Sequence, residues 1–279
     1  MYAFRKILFP VDFSERSVAA VPYVRAVAER FHSEVTALHV IEPPPEVYGP
    51  LESSQADLRE EELAAYLKRH FAGEGVRRIL TVGDPARRST EFAADEAVDL
   101  IMMPTHGYGP FRRFILGSVT AKVLHDADCA VWTAAHIEEM PSAANYAVQN
   151  VVCAIDQDEK SKAILQRAGE LAEEYNAQLT VVHTVPATDV RPDMYLDTEF
   201  RVTMVEAARK QVNDLVRAAG LKAIVCVDAG EIAKVIRHAA ISHRADLLVI
   251  GRGTPGLMGR LKTHSYSIIR ESPCPVLSL

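Results

Sequence analysis

The sequence predicts an α/β protein of two tandem domains, each a doubly wound parallel sheet of the Rossmann-like kind. Three observations lead there. The chain has 279 residues, more than one domain's worth on a prior of roughly 150 residues each. Its halves repeat one another. Within each half, short β-rich runs alternate with longer stretches of helical period, the order that builds a parallel sheet covered on both faces.

The repeat is carried by landmark residues. KILFPVDFS at 6–14 is answered by NVVCAIDQDE at 150–159, and TALHVIE at 36–42 by TVVHTVP at 180–186. Asp12 and Asp156 are separated by the same offset as His39 and His183. Gly83 with Gly230, Asp99 with Asp246 and Ser118 with Ser265 share an offset three residues longer, so the length change falls in the middle loop or helix. DCAVWTA at 128–134 answers PCPVLSL at 273–279 with an offset two residues shorter again, which implies two residues lost from the last helix. Such fixed spacing is the signature of a duplicated unit.

Taken in order, the first copy is expected to hold strands near 5–11, 35–41, 76–82, 99–104 and 129–134, with helices near 15–31, 52–72, 86–97 and 117–126; the second copy repeats the order. Val35, Ala37, Leu38 and Val40 form a nearly continuous apolar run, as do Leu100, Ile101 and Met102. Strands buried on both faces need such runs. HIEEMPSAANYAVQ at 136–149 is polar and contains a proline, so it reads as the linker between a domain at 1–136 and one at 149–279.

Bulk composition narrows the function. With 31 basic and 37 acidic side chains the formal charge is −6, which offers no broad positive field to a polyphosphate backbone and argues against nucleic acid as a partner. Arg5 and Lys6 precede an apolar run that Asp12 interrupts, too short for a secretory segment or a membrane span. A cytoplasmic protein with no membrane partner is expected. Cys129, Cys153, Cys226 and Cys274 are scattered without a paired spacing, and read as reduced thiols rather than a disulfide framework or a zinc site.

In open parallel sheets, ligands bind beyond the carboxyl ends of the strands where strand order reverses. Asp12 follows the first strand and THGYGPFRRFILGSV (105–119) follows the fourth, so the two can face one crevice. Gly107 and Gly109 permit close backbone approach. Gly117 and Ser118 open a helix whose unpaired N–H groups and positive dipole end suit an anion. The pattern alone is equally compatible with a plain turn.

The first copy resembles the universal stress protein family, whose ATP-binding members carry G-x-x-G, nine residues, then G-[S/T] after the fourth strand. Gly107, nine residues and Gly117-Ser118 match that motif, and PVDFS (10–14) and LHVIE (38–42) are similar to the family's first two strands. The resemblance extends over nearly the whole chain, twice. It implies that Val11, Asp12 and Val40 line the adenine and ribose end of a site for ATP, with or without Mg2+, and that Gly107, Gly117, Ser118 and Val119 meet the ribose and phosphates. It also implies that the copies pack as an internal pseudo-dimer through 129–134 and 274–279, and that two chains can pair again.

Two departures qualify the match. Pro104 stands where the motif's first glycine belongs, which removes a backbone donor and stiffens the loop. The second copy keeps Gly251 but has Thr254 and His264 at the other glycine positions, with Ser265 alone left of the final pair. Side chains there obstruct close phosphate approach, so this half is expected to bind nucleotide poorly. Its loop stays basic through Arg252, Arg260, Lys262 and His264.

Other candidates have simpler explanations. Asp12 serves equally well as a helix cap or a ligand contact, whereas Asp156 reads as a cap. His39 and His183 lie in apolar strands without a second ligand at metal spacing, and are expected to be structural. His106 has no neighbouring nucleophile or orienting carboxylate, Arg112 and Arg113 read as a solvated face, and EPPPEVYGP (42–50) as a loop over the sheet edge or a lid. No P-loop is present. The expected function is a regulatory binding module for an adenine nucleotide in the first half, signalling to a protein partner; the alternatives are a nucleotide-independent scaffold and an ATP-hydrolysing enzyme.

Overall fold

The computed structural model describes residues 4–42, 53–71, 75–105, 116–134, 146–186, 198–252 and 263–279. The chain divides into two compact units, one of Ala3–Tyr146 and one holding Ala147–Leu279.

In the first unit, β1 (Lys6–Pro10), α1 (Glu15–Phe31), β2 (Glu34–Ile41), α2 (Ser53–His70), β3 (Arg77–Val82), α3 (Pro85–Asp95), β4 (Leu100–Pro104), α4 (Ser118–Asp126) and β5 (Ala130–Ala134) alternate strictly. The strands lie in the order β3-β2-β1-β4-β5, and each described pairing is parallel. Right-handed crossovers then fix the helix placement. The chain steps outward from β1 to β3, which carries α1 and α2 to one face, and reverses through β4 to β5, which carries α3 and α4 to the other. Ser17 on α1 meets Tyr66 on α2 through their hydroxyl oxygens, 3.3 Å apart, and α3 packs on α4.

The second unit repeats the plan with β6 (Asn150–Ala154), α5 (Ser161–Tyr175), β7 (Gln178–Pro186), α6 (Thr198–Ala218), β8 (Ile224–Gly230), α7 (Ile232–Ser242), β9 (Leu247–Ile250), α8 (Thr263–Glu271) and β10 (Val276–Ser278). Its strand order β10-β9-β6-β7-β8 is the same topology. Strands β4 and β9 show no exposed residue, the result of their unbroken apolar runs.

Repeat landmarks have structural reasons. Asp99 accepts the N–H groups of Arg5 and Lys6 at 2.8 and 2.9 Å, and Asp246 accepts those of Gln149 and Asn150 at the same distances. Each carboxylate therefore fixes the entry into the first strand of its unit. His32 and Asn176 take the left-handed conformation that closes α1 and α5, Asn being one of the residues that tolerate it best.

Both capping expectations at the first helices are corrected. Ser14, not Asp12, is the N-cap of α1, its Oγ accepting the Ser17 N–H at 3.1 Å. Asp12 Oδ1 instead accepts from the Ser14 N–H at 3.0 Å and hydroxyl at 2.6 Å. In the second unit the N-cap of α5 is Lys160, not Asp156, and Asp158 Oδ1 accepts from the Lys160 N–H at 3.2 Å and the Ser161 hydroxyl at 3.0 Å. The reason is a left-handed residue between strand and helix, Phe13 at φ 60° and Gln157 at φ 60°. It turns the chain once more before the helix begins. The expected loop or lid at 42–50 lies, beyond Glu42, outside the described residues, as does most of the linker.

No helix among the described residues is long and apolar enough to cross a membrane. Cys153 and Cys274 are buried, and burial pushes both thiols up to about 12.

Candidate functional site

The strand order of the first unit reverses between β1 and β4, and a crevice of about 390 Å³ opens at the carboxyl ends of β1, β2 and β4. A volume in the range of small-molecule pockets, roughly 300–1,000 Å³, suffices for a nucleotide's base and sugar. Val11, Asp12, Val40, Gly117, Ser118 and Val119 all line it. Gly107, the remaining motif residue, lies outside the described residues, together with Gly109, His106, Arg112 and Arg113.

Each wall follows from the local chain. Val11 and Asp12 stand where β1 has ended and α1 has not begun. With Oδ1 engaged by Ser14, Asp12 Oδ2 has no partner among the described residues. Gly117 is the N-cap of α4, in an extended conformation and without a side-chain cap. Its own N–H is taken by the Thr105 carbonyl at 2.8 Å. The N–H groups of Ser118 and Val119, in the first turn, have no intrahelical acceptor, and the exposed Ser118 hydroxyl adds a donor or acceptor. Thr120 is not available, since its hydroxyl donates to the Pro104 carbonyl at 3.1 Å.

Pro104 fits the fold better than it fits the motif. It closes β4, in register with Ala134, and the next N–H, of Thr105, donates to the Ala134 carbonyl at 3.2 Å. Residues along a parallel strand address their two neighbours alternately, so the nitrogen of Pro104 faces the crevice. The sheet loses no rung; the crevice loses one donor.

The β2 edge supplies a donor and an acceptor instead. Leu38 O accepts the Val11 N–H at 2.8 Å on the β1 side, and Ile41 O accepts the Gly83 N–H at 3.0 Å on the β3 side. By that alternation the N–H and C=O of Val40 point to the β1 side, where β1 has already stopped. Among the described residues neither has a hydrogen bond.

The second unit shows what closes such a site. Its crevice holds about 50 Å³. Ile232, Ile236, His264 and Ile268 line it, at the positions of Pro85, Ser89, Gly117 and Ala121 in the first copy. Three isoleucines and an imidazole thus occupy the base of the cleft. Helix α8 also starts at Thr263, two residues earlier in the repeat than α4, so His264 lies inside the helix rather than capping it. Gly251 is retained for packing, since a Cβ there would meet Ile164 Cδ1 at 2.2 Å. Thr254 lies outside the described residues.

The wall formed by α3 was not anticipated from the sequence. Pro85, Ser89 and Glu42 line the first crevice, and the signal was the repeat itself, which sets Ser89 against Ile236. Nearby, the Arg87 N–H and the Lys122 ammonium, 3.0 Å away, hold the Asp84 carboxyl below its usual range. His39, which also lines the crevice, lies in an aromatic cluster with Phe13 and Tyr66, the Phe13–His39 pair tilted with ring centroids 4.4 Å apart and the Phe13–Tyr66 pair edge-to-face at 5.6 Å. Burial pushes the Tyr66 hydroxyl up to about 12. No cluster of three or more metal-ligating side chains exists among the described residues.

Comparison with known proteins agrees with this fold. The model of the universal stress protein family matches twice, over residues 3–134 and 147–279. A universal stress protein of Methanocaldococcus jannaschii is 33% identical over 136 residues, covering 46% of this chain and 80% of the relative. One from Thermus aquaticus is 32% identical over 132 residues, covering 46% and 96%. The crystal structure of a universal stress protein from Archaeoglobus fulgidus superimposes with a TM-score of 0.73 at 21% identity, covering 99% of this chain and 98% of that one, a likeness of fold.

Proposed function

The chain belongs to the universal stress protein family, and from that premise we propose that its first unit binds ATP or a related adenine nucleotide while its second unit does not. The observation that carries the reading is the difference between the two crevices, about 390 Å³ against about 50 Å³ on one topology. In the first crevice, the free N–H and C=O of Val40 suit the edge of a base. Asp12 Oδ2 suits a ribose hydroxyl, and the start of α4 at Gly117, Ser118 and Val119 suits the phosphates. Asp12 and Glu42 are the carboxylates of the described lining and would be the ones to hold a Mg2+ bound with those phosphates. The activity proposed is regulated binding, read by a protein partner.

Titration calorimetry of ATP with Mg2+ tests this. Saturable binding by the intact chain, lost in Gly117→Arg, supports the proposal. No binding under any Mg2+ condition favours a nucleotide-independent scaffold, the reading that Pro104 and its missing donor support.

A further inference from the structure

We propose that His39 is a positioning residue that keeps the Val40 backbone edge open for an adenine base, an inference that rests on the first crevice being a nucleotide site. The β1–β2 ladder runs in register up to Pro10 and Leu38, and the Val11 N–H still follows it by donating to Leu38 O. One further step would have Val40 N–H donating to the Val11 carbonyl. That step is not taken. The Val11 carbonyl accepts instead from His39, whose Nδ1 lies 2.7 Å away.

A ring nitrogen this close to a carbonyl oxygen carries the proton, so the hydrogen bond fixes the Nδ1–H form. The ring is held in place by Phe13, packed at 4.4 Å in a left-handed turn at φ 60°. The histidine thus satisfies Val11, ends the ladder one rung early and leaves Val40 with a donor and an acceptor side by side. Adenine presents the complement, an acceptor at N1 and a donor at the exocyclic amine. A base carrying a carbonyl and a ring N–H at those places, as hypoxanthine does, presents the reverse.

The same device recurs in the second unit, where His183 Nδ1 lies 2.9 Å from the Ile155 carbonyl. There it ends a ladder beside a crevice too small for a base, which makes it an internal control. The fold supplies the clamp twice; only in the first copy does it expose an edge to an open cleft.

The test is the ratio of affinities for ATP and inosine triphosphate, measured by calorimetry on the full chain. The intact protein and His183→Ala should prefer ATP. In His39→Ala the ladder closes, so ATP affinity falls about tenfold, the scale of one or two net hydrogen bonds, and the preference collapses. His39→Asn, which can place an amide donor where Nδ1 stood, should restore both, and thermal melting confirms that each variant folds. Loss of affinity for both nucleotides with the preference intact would mean a merely structural histidine and would overturn the proposal. So would equal binding of ATP and inosine triphosphate by the intact chain, with the nucleotide reading left standing. If the intact chain binds neither, that reading falls and the proposal with it.

Discussion

Ser89 on α3 and Ile236 on α7 occupy the same position in the two copies, each lining the crevice of its own unit. Ser89 is fully buried, a short side chain at the crevice wall whose hydroxyl is folded back onto the Pro85 carbonyl at 2.7 Å. Ile236 projects a branched side chain into the equivalent space. The exchange makes one cleft open and the other nearly full.

Ser89→Ile should therefore narrow the first crevice, at some cost in stability because Ser89 is itself fully buried and the added carbons crowd their neighbours. Nucleotide affinity is expected to fall about tenfold or more, at least 1.4 kcal/mol. Calorimetry beside a thermal melt checks it. Ile236→Ser should also lower stability, by about 2–4 kcal/mol, as a large buried side chain is truncated.

Gly117→Arg places a long side chain across the start of α4 and should abolish nucleotide binding. His264→Ala, at the equivalent position of the second unit, should leave the affinity within about twofold, a margin of roughly 0.4 kcal/mol. Parallel losses from the two variants would refute the asymmetry between the units.

Asp12 and Ser14 divide two roles between them. Ser14→Ala removes the N-cap of α1 and should cost about 1 kcal/mol of stability in a urea titration. Asp12→Ala leaves that cap in place and should reduce nucleotide affinity more than it reduces stability. The opposite ranking would make Asp12 a purely local turn residue.

Much of the fold could be read directly from the chain. Unbroken apolar runs such as Leu100 to Met102 announce buried parallel strands, and the paired offsets announce two copies. The crevice was legible at Asp12 and Gly117-Ser118, where the chain itself carries the signal, and at Val40 through the family resemblance. The wall from α3 was not, because Ser89 approaches β1 and β2 only through a crossover that reverses the winding of the sheet. The capping roles were misread for a subtler reason: no local pattern marks Phe13 and Gln157 as left-handed, yet that one rotation passes the cap from the aspartate to a later residue. His39 looked structural in an apolar strand; its bond to Val11 joins residues 28 apart, and only the folded sheet brings them together.

The buried thiols give the protein an alkaline limit. In the folded state Cys153 and Cys274 are pushed up to about 12 by burial, whereas an unfolded thiol ionises near 8.5. Between those values the unfolded chain loses protons that the folded one retains. Their contribution to stability is therefore fully present below about pH 8.5 and declines as pH rises toward 12. Thiol-reactive dye at pH 8 should label Cys153 and Cys274 only after denaturant is added, whereas the half-exposed Cys129 and Cys226 should react first.

Quantitation of the adenine nucleotide bound per chain, by denaturing extraction and mass spectrometry after loading with saturating ATP and Mg2+ and removal of the excess, weighs the two units against each other. The open first crevice and the filled second one predict one nucleotide per chain. Two per chain would contradict the closure assigned to Ile232, Ile236 and His264, and none would contradict the nucleotide site itself.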